Sequence, residues 1–175
     1  MRHASSSHPL TTPSTFIGSD TDAIDLLQID QEQIEELFEA YAEMVAQAAP
    51  ADTRQRLAKL ICTTVIVHNA LEVELFYPAA REALTNQALI DSALGDHVVL
   101  RALVQRVLAG RPAQPDYDGR VARLGRRVRD HAHFEASAIF ASLRREGADL
   151  GRLGPAMWRR QQQLLQAAAE SRAAH

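Results

Sequence analysis

The sequence contains few of the residues that mark secreted, membrane-spanning or disulfide-bonded proteins. Among its 175 residues there is one cysteine, Cys62, which excludes an intramolecular disulfide and fits a reducing compartment. No run of about 18 apolar residues indicates a membrane span, and the N-terminus lacks the apolar core of a secretory signal. We therefore expect a soluble, cytoplasmic protein that has no membrane partner.

Charge of one sign and aromatic side chains are also scarce. The formal net charge is −3, and aromatic residues make up 5% of the chain. A nearly neutral chain has no overall electrostatic attraction to nucleic acid or anionic lipid. Five arginines lie between residues 120 and 129, but no aromatic side chains alternate with them for base stacking. We interpret them as a solvated helix face and expect no nucleic-acid partner.

The abundant residues, Ala, Leu, Gln, Glu and Arg, favour helices over strands. Apolar side chains recur at steps of three and four, which is the spacing of a helix face that packs in a bundle. We predict helices over about 22–48, 52–84, 87–109 and 117–145, and a fifth that starts at Pro155. Asp52, with Gln55 three residues later, is the predicted N-cap of the second helix.

These segments predict an all-α fold, an antiparallel up-down four-helix bundle with an extra C-terminal helix. We expect three parts in the chain: a flexible tail over 1–19, the bundle domain over 20–146 and the C-terminal helix over 147–175. The tail is rich in Ser, Thr and Pro and shows no helical periodicity. The fifth helix should place Met157, Trp158, Leu164 and Leu165 against the bundle or against another subunit.

Polar residues interrupt the apolar face of each of the four bundle helices. In "VIVHNALEVELFYP", residues 65–78, His68 and Glu72 lie four residues apart and therefore on one helix face. The fourth helix repeats this spacing. The polar residues on the four inward faces are Gln31, His68, Glu72, His97, His131 and Glu135.

Metal ions explain this pattern better than packing does. A single His-x-x-x-Glu is usually a surface pair or a hydrogen bond within one helix. An isolated buried carboxylate costs several kcal/mol unless it is paired or ligated, and buried ion pairs seldom repay their desolvation. A salt-bridged polar core is the alternative. Two matching pairs and a third histidine, all on inward faces, favour metal ligation, because carboxylates bridge cations and imidazoles complete their coordination.

Four segments together resemble the bacterial hemerythrin-like HHE domain: "DAIDLLQIDQEQIEELF", "VHNALEVELFYPAAREAL", "DHVVLRALVQRV" and "HAHFEASAIF". The resemblance covers about residues 22–146. It implies a four-helix bundle around a non-haem di-iron centre. By this resemblance His68, His97 and His131 are terminal iron ligands, and Glu72 and Glu135 bridge the two ions.

Two positions need comment within this resemblance. His133 is close to His131, but only His131 has a glutamate four residues later and Phe140 at the distance typical of the family. The family carries histidine after aspartate on its first helix, whereas this chain has Gln31 after Asp30. We therefore expect two ions, with the one near Gln31 bound more weakly. Gln31 is a candidate metal ligand through its amide oxygen, a weaker donor than imidazole; the alternative is that it only donates a hydrogen bond or is a satisfied core amide. Glu35, one turn later, is a candidate substitute ligand.

The resemblance implies a protein that binds a small diatomic ligand, O2 or NO, in redox sensing or an iron-linked stress response. One alternative is catalase-like decomposition of peroxide at the same centre. Another is a degenerate bundle that binds a partner. A ferritin-like oxidase is disfavoured because those sites use Glu-x-x-His. Imidazole and carboxylate also suit zinc and manganese, so the residues leave the metal open. We expect a monomer or a weak homodimer.

Overall fold

The computed structural model of the chain describes residues 21–173, so the predicted tail over 1–19 lies outside the described part. Five helices follow one another along this part. They are α1 (Ala23–Ala46), α2 (Ala51–Ala83), α3 (Ala88–Leu108), α4 (Tyr117–Phe134 continued by Glu135–Phe140 and Ala141–Glu146) and α5 (Leu153–Ala173). No strand occurs between residues 21 and 173. The predicted all-α class, a four-helix bundle with an additional C-terminal helix, is confirmed.

The helix ends show where local signals succeeded and where they misled. The carboxylate of Asp22 caps α1 and accepts the amide of Asp25 at 2.9 Å. The predicted N-cap of α2, Asp52, was wrong by two residues, because Pro50 has the extended backbone of a cap and the helix starts at Ala51. Asp52 instead bonds Arg56 at 2.8 Å. Likewise α5 begins two residues before Pro155, which the first turn tolerates because its amides have no partner within the helix.

Two glycines allow the connection from α4 to α5 and the close packing of the start of α5. Gly147 ends α4 with φ at 70°, in the left-handed region that disfavours side chains. At Gly154 a Cβ atom would lie 2.0 Å from the carbonyl oxygen of Thr21. The start of α5 therefore packs directly on the backbone that precedes α1. Met157 is fully buried in this contact region, whereas Trp158 on the other face of α5 is 41% exposed.

The bundle interior has two apolar clusters with a polar layer between them. One cluster contains Leu27, Leu71, Ala93 and Ile139, and the other contains Ile34, Val65, Leu100 and Leu124. On α1, α2 and α3 the chain passes from one cluster to the other through a buried polar residue. These residues are Asp30, His68 and His97. Glu72 on α2 and His131 and Glu135 on α4 are also buried in this layer. The fold thus places the polar positions of four helices at one level.

One helix, Ala51–Ala83, is long and apolar enough to cross a membrane by length and composition. Its best 18-residue window has a mean hydropathy of 1.3, although the sequence had suggested no such segment. Half of that window is buried inside the bundle, as in the core helix of a helical domain.

Candidate metal centre

The five predicted histidines and glutamates converge in the polar layer. Glu72 and Glu135 have no exposed surface, and the histidines are at most 5% exposed. His68 Nε2 lies 3.1 Å from Glu72 Oε1, and His97 Nε2 lies 3.1 Å from Glu72 Oε2. His131 Nε2 is 3.6 Å from Glu135 Oε2 and 3.1 Å from His97 Nε2. The ring nitrogens of three helices therefore point at the same carboxylates.

The donor atoms form two groups that have one residue in common. Glu72, His97 and His131 make the first group, and His68, Glu72 and Glu135 make the second. Within each group the donor atoms lie within 4.8 Å of one another. Glu72 offers one oxygen to each side, which is the arrangement of a carboxylate that bridges two cations. We call these groups the first and the second cation position.

Each carboxylate begins a π-helical segment of its helix. The segments are Glu72–Phe76 in α2 and Glu135–Phe140 in α4. Such segments are rare and often mark functional sites. The sequence analysis did not predict these segments, although the spacing of the inward-facing residues indicates them. Buried residues recur at strict steps of four, over 68, 72, 76, 80 and over 131, 135, 139, 143. An ideal α-helix would rotate these positions by about 40° per step, and the wider turn keeps them on one face.

Unpartnered polar atoms show that the cluster fits a cation. Both carboxylate oxygens of Glu72 lack an aligned hydrogen-bond donor among the described residues, although imidazole nitrogens lie within 3.1 Å. Burial, and then the charge of Glu72, raise the pKa of Glu135 well above its usual range. Two buried carboxylates so close together cannot both be ionised cheaply without a positive charge. A bound cation between these oxygens and the imidazoles would supply that charge.

The electrostatics of His68 agree with this description. Burial alone would lower its pKa, but the neighbouring charge of Glu72 and a contact with Asp30 raise the pKa of His68 well above its ordinary value. In the metal-free protein the imidazolium of His68 therefore partly compensates the Glu72 carboxylate. A metal ion would replace this proton, because only the neutral imidazole ligates.

Two aspartates stand behind the histidines, and the sequence analysis did not assign them. Asp30 Oδ2 lies 3.6 Å from His68 Nδ1, and Asp96 Oδ2 lies 3.5 Å from His131 Nδ1. Carboxylates in this place fix the orientation of ligating imidazoles and increase their basicity. A signal was present, since each aspartate directly precedes the inward-facing residue of its helix, Gln31 on α1 and His97 on α3.

Gln31 lies in the polar layer as a hydrogen-bond donor. Its Nε2 contacts Glu135 Oε2 at 2.8 Å, and only the amide nitrogen can donate to a carboxylate. Glu35, the candidate substitute ligand, lies away from the cluster and binds Arg129 at 2.7 Å. His133 is exposed. In this contact Gln31 acts as a hydrogen-bond donor, and its role as a metal ligand stays a prediction.

Tyr77 is a further polar residue at the centre, and the sequence analysis gave it no role. Its hydroxyl donates to Glu135 Oε1 at 2.8 Å and lies 3.2 Å from His97 Nε2 and 3.4 Å from His131 Nε2. Burial, and then the charge of Glu72, raise the pKa of Tyr77, so the phenol keeps its proton.

A small cavity lies beside His68 of the second cation position and His131 of the first. Its volume is about 10 Å³, and Gln31, His68 and His131 line it together with apolar side chains. This is room for about one water-sized molecule. A larger groove of about 430 Å³ between α2 and α3 reaches His97 from the surface. Val65 and Asn69 line both spaces.

Comparison with known proteins agrees with the geometry. The profile of the family described as hemerythrin HHE cation binding domain matches residues 22–143. The chain belongs to this family. Comparison of the HHE protein with curated protein sequences gave no match.

A solved structure supports the fold of the HHE protein independently. It is the crystal structure of a hemerythrin HHE cation binding domain-containing protein from Mycobacterium kansasii. The TM-score is 0.73 at 22% sequence identity, and the match covers 86% of this chain and 91% of the other. At this identity the similarity concerns the fold. The family profile ends at residue 143, so α5 lies beyond the residues that it matches.

Proposed function

We propose that this HHE protein binds two metal ions, iron by preference, and uses the second position to bind a small diatomic ligand such as O2 or NO. The observation that carries the proposal is Glu72, whose two oxygens face two separate groups of donors. Within residues 21–173 the buried carboxylate of Glu72 has no hydrogen-bond partner with aligned geometry. Redox sensing or an iron-linked stress response in the cytoplasm is the role that we assign to it.

The two positions differ in their histidines. His97 and His131 serve the first, and His68 alone serves the second, together with both glutamates. Imidazole is a better donor to iron than the carboxamide of Gln31, so the second ion should be the weaker one. Iron bound by these residues would supply reversible redox chemistry and could accept a small ligand.

The surrounding residues suit a ligand of two atoms. The cavity beside Gln31 and His68 has space for about one water-sized molecule, and polar and apolar side chains share its walls. So small a space excludes bulk water and admits only a small ligand next to the two histidines. The side chain of Gln31 is oriented by Glu135, which keeps this space from being filled by the amide.

Peroxide decomposition is the second candidate, and Tyr77 is the observation that favours it. The buried hydroxyl lies within 3.4 Å of two histidine nitrogens and one carboxylate oxygen. A neutral phenol in this place can donate a hydrogen bond to a ligand oxygen and hold a proton close to it.

Metal analysis of protein from iron-replete cells, followed by anaerobic titration with NO, tests the proposal. We expect more than one iron per chain and an NO-dependent change in visible absorption. A peroxide turnover assay on the same sample separates the two candidates. A protein that takes up neither iron, zinc nor manganese would contradict the proposal and would favour the degenerate bundle that binds a partner.

A further inference from the structure

The two aspartates behind the histidines are held by different parts of the chain. Asp96, behind His131, accepts a hydrogen bond from Arg127. Arg127 and His131 lie on the same helix, α4, within the residues that the family profile matches. Asp30, behind His68, accepts its hydrogen bond from Gln161 on α5, which lies outside the matched residues. The second position therefore depends on a helix that the first does not use.

The contact between Gln161 and Asp30 is short and mostly protected from water. Gln161 Nε2 lies 2.6 Å from Asp30 Oδ2, and Asp30 is 6% exposed. The same oxygen lies 3.6 Å from His68 Nδ1. Gln161 thus fixes the carboxylate that faces the imidazole, and without this donor the buried Asp30 side chain would be free to turn away or admit water.

The residue before Gln161 contacts the π-helical segment of α2 at the surface of the bundle. Arg160 bonds both carboxylate oxygens of Glu74, at 2.6 and 3.1 Å. Glu74 belongs to the π-helical segment that begins with Glu72. Met157, three residues earlier, is fully buried in the core and anchors α5. Consecutive side chains of α5 therefore contact Asp30, which stands behind His68, and Glu74, in the segment that begins with Glu72.

We infer that Gln161 is a positioning residue for the second metal ion and acts on His68 through Asp30. The inference rests on the proposed metal binding and extends it to a helix outside the HHE domain. Outer partners of metal-ligating histidines typically change metal affinity by about 10- to 100-fold when they are removed. Because His68 is the single imidazole of the second position, its orientation should matter more there than at the first.

Anaerobic titration of the metal-free full chain with Co²⁺ tests the inference, because the colour of bound cobalt reports its ligands. The variant is Gln161→Leu, which removes the donor and keeps a similar size. Gln162→Leu, at an exposed neighbour, is the matched control. Arg160→Leu removes the contact with Glu74 that helps to dock α5 and keeps the Gln161 side chain. Trp158, the single tryptophan, lies on α5 and reports by its emission whether the helix stays docked.

We expect Gln161→Leu to weaken the second cobalt step roughly 10-fold or more, to change the spectrum of that cobalt and to leave the first step unchanged. Gln162→Leu should behave as the wild type. Equal weakening in Gln161→Leu and Arg160→Leu would overturn the inference, because docking of α5 alone would then explain the effect. Unchanged binding in Gln161→Leu would overturn it too. A wild type that binds no cobalt would contradict the proposed function itself, and the inference with it.

Discussion

Gln31 on α1 donates its side-chain amide to Glu135 on α4 across 2.8 Å. These residues are 104 positions apart in the sequence, and their contact spans the bundle beside the second cation position. At a place where the resemblance leads us to expect histidine, the chain uses a residue that orients a carboxylate. The centre is therefore asymmetric, with two histidines on one side and one on the other.

Replacing Gln31 with His should strengthen the second position. A neutral imidazole is a better donor to iron than a carboxamide, so the iron content should rise toward two per chain and the second ion should resist dialysis. Gln31→Leu, grown and reconstituted identically, controls for loss of the Glu135 hydrogen bond. Equal iron content and equal spectra in the wild type and Gln31→His would show that the lack of a histidine on α1 does not weaken the second cation position.

Replacing His68 with Ala should remove the second ion and the stability that it provides. An ion that binds only the folded state stabilises it by about 2.7 kcal/mol at a concentration 100 times its Kd. Differential scanning calorimetry with and without metal measures this. The exposed His133→Ala is the control, and it should keep the full metal-dependent rise in Tm. The same rise in His68→Ala would mean that His68 contributes only to packing.

The Tyr77→Phe variant should be less stable without metal. It removes the hydroxyl that donates to Glu135 at 2.8 Å in a fully buried place. Loss of a buried hydrogen-bond partner typically costs about 1–3 kcal/mol, measurable by urea unfolding of the metal-free protein. If peroxide decomposition is the activity, its rate should also fall. An unchanged unfolding midpoint would show that the hydroxyl contributes nothing to the order of the centre.

Cys62 should resist thiol reagents until the bundle unfolds. It has no exposed surface, and burial raises the pKa of its thiol to about 12. The reactive thiolate is therefore scarce in the native protein near neutral pH. Labelling at pH 8 should be slow, should accelerate in urea and should slow again when metal is added. Rapid labelling of the native, metal-loaded protein would contradict the burial of this part of α2.

The sequence predicted the helices and the convergent side chains because both depend on one periodicity. Inward apolar positions define the bundle, and His68, Glu72, His97, His131 and Glu135 stand at the same register on their helices. Helix starts were harder to predict, because Asp52 carries a strong N-cap signal whereas the backbone places the cap at Pro50, which has no side-chain cap hydrogen bond.

Contacts between distant segments could not be predicted from the sequence. The interaction of Gln161 with Asp30 joins residues 131 positions apart, and neither spacing nor composition indicates which face of α5 meets α1. Asp96 and Tyr77 were overlooked because a residue beside an inward position can point either outward or along the layer. The packing angle of the neighbouring helices determines which of these two directions the side chain takes.

Glu72 provides the most direct test of the centre, because both cation positions depend on it. Glu72→Gln keeps the size of the side chain and removes its charge. Metal content should be measured by mass spectrometry on wild-type and variant proteins reconstituted with iron under identical conditions. We predict more than one ion per chain in the wild type and the loss of both from Glu72→Gln. Equal metal content in the two proteins would contradict a centre built on a shared carboxylate.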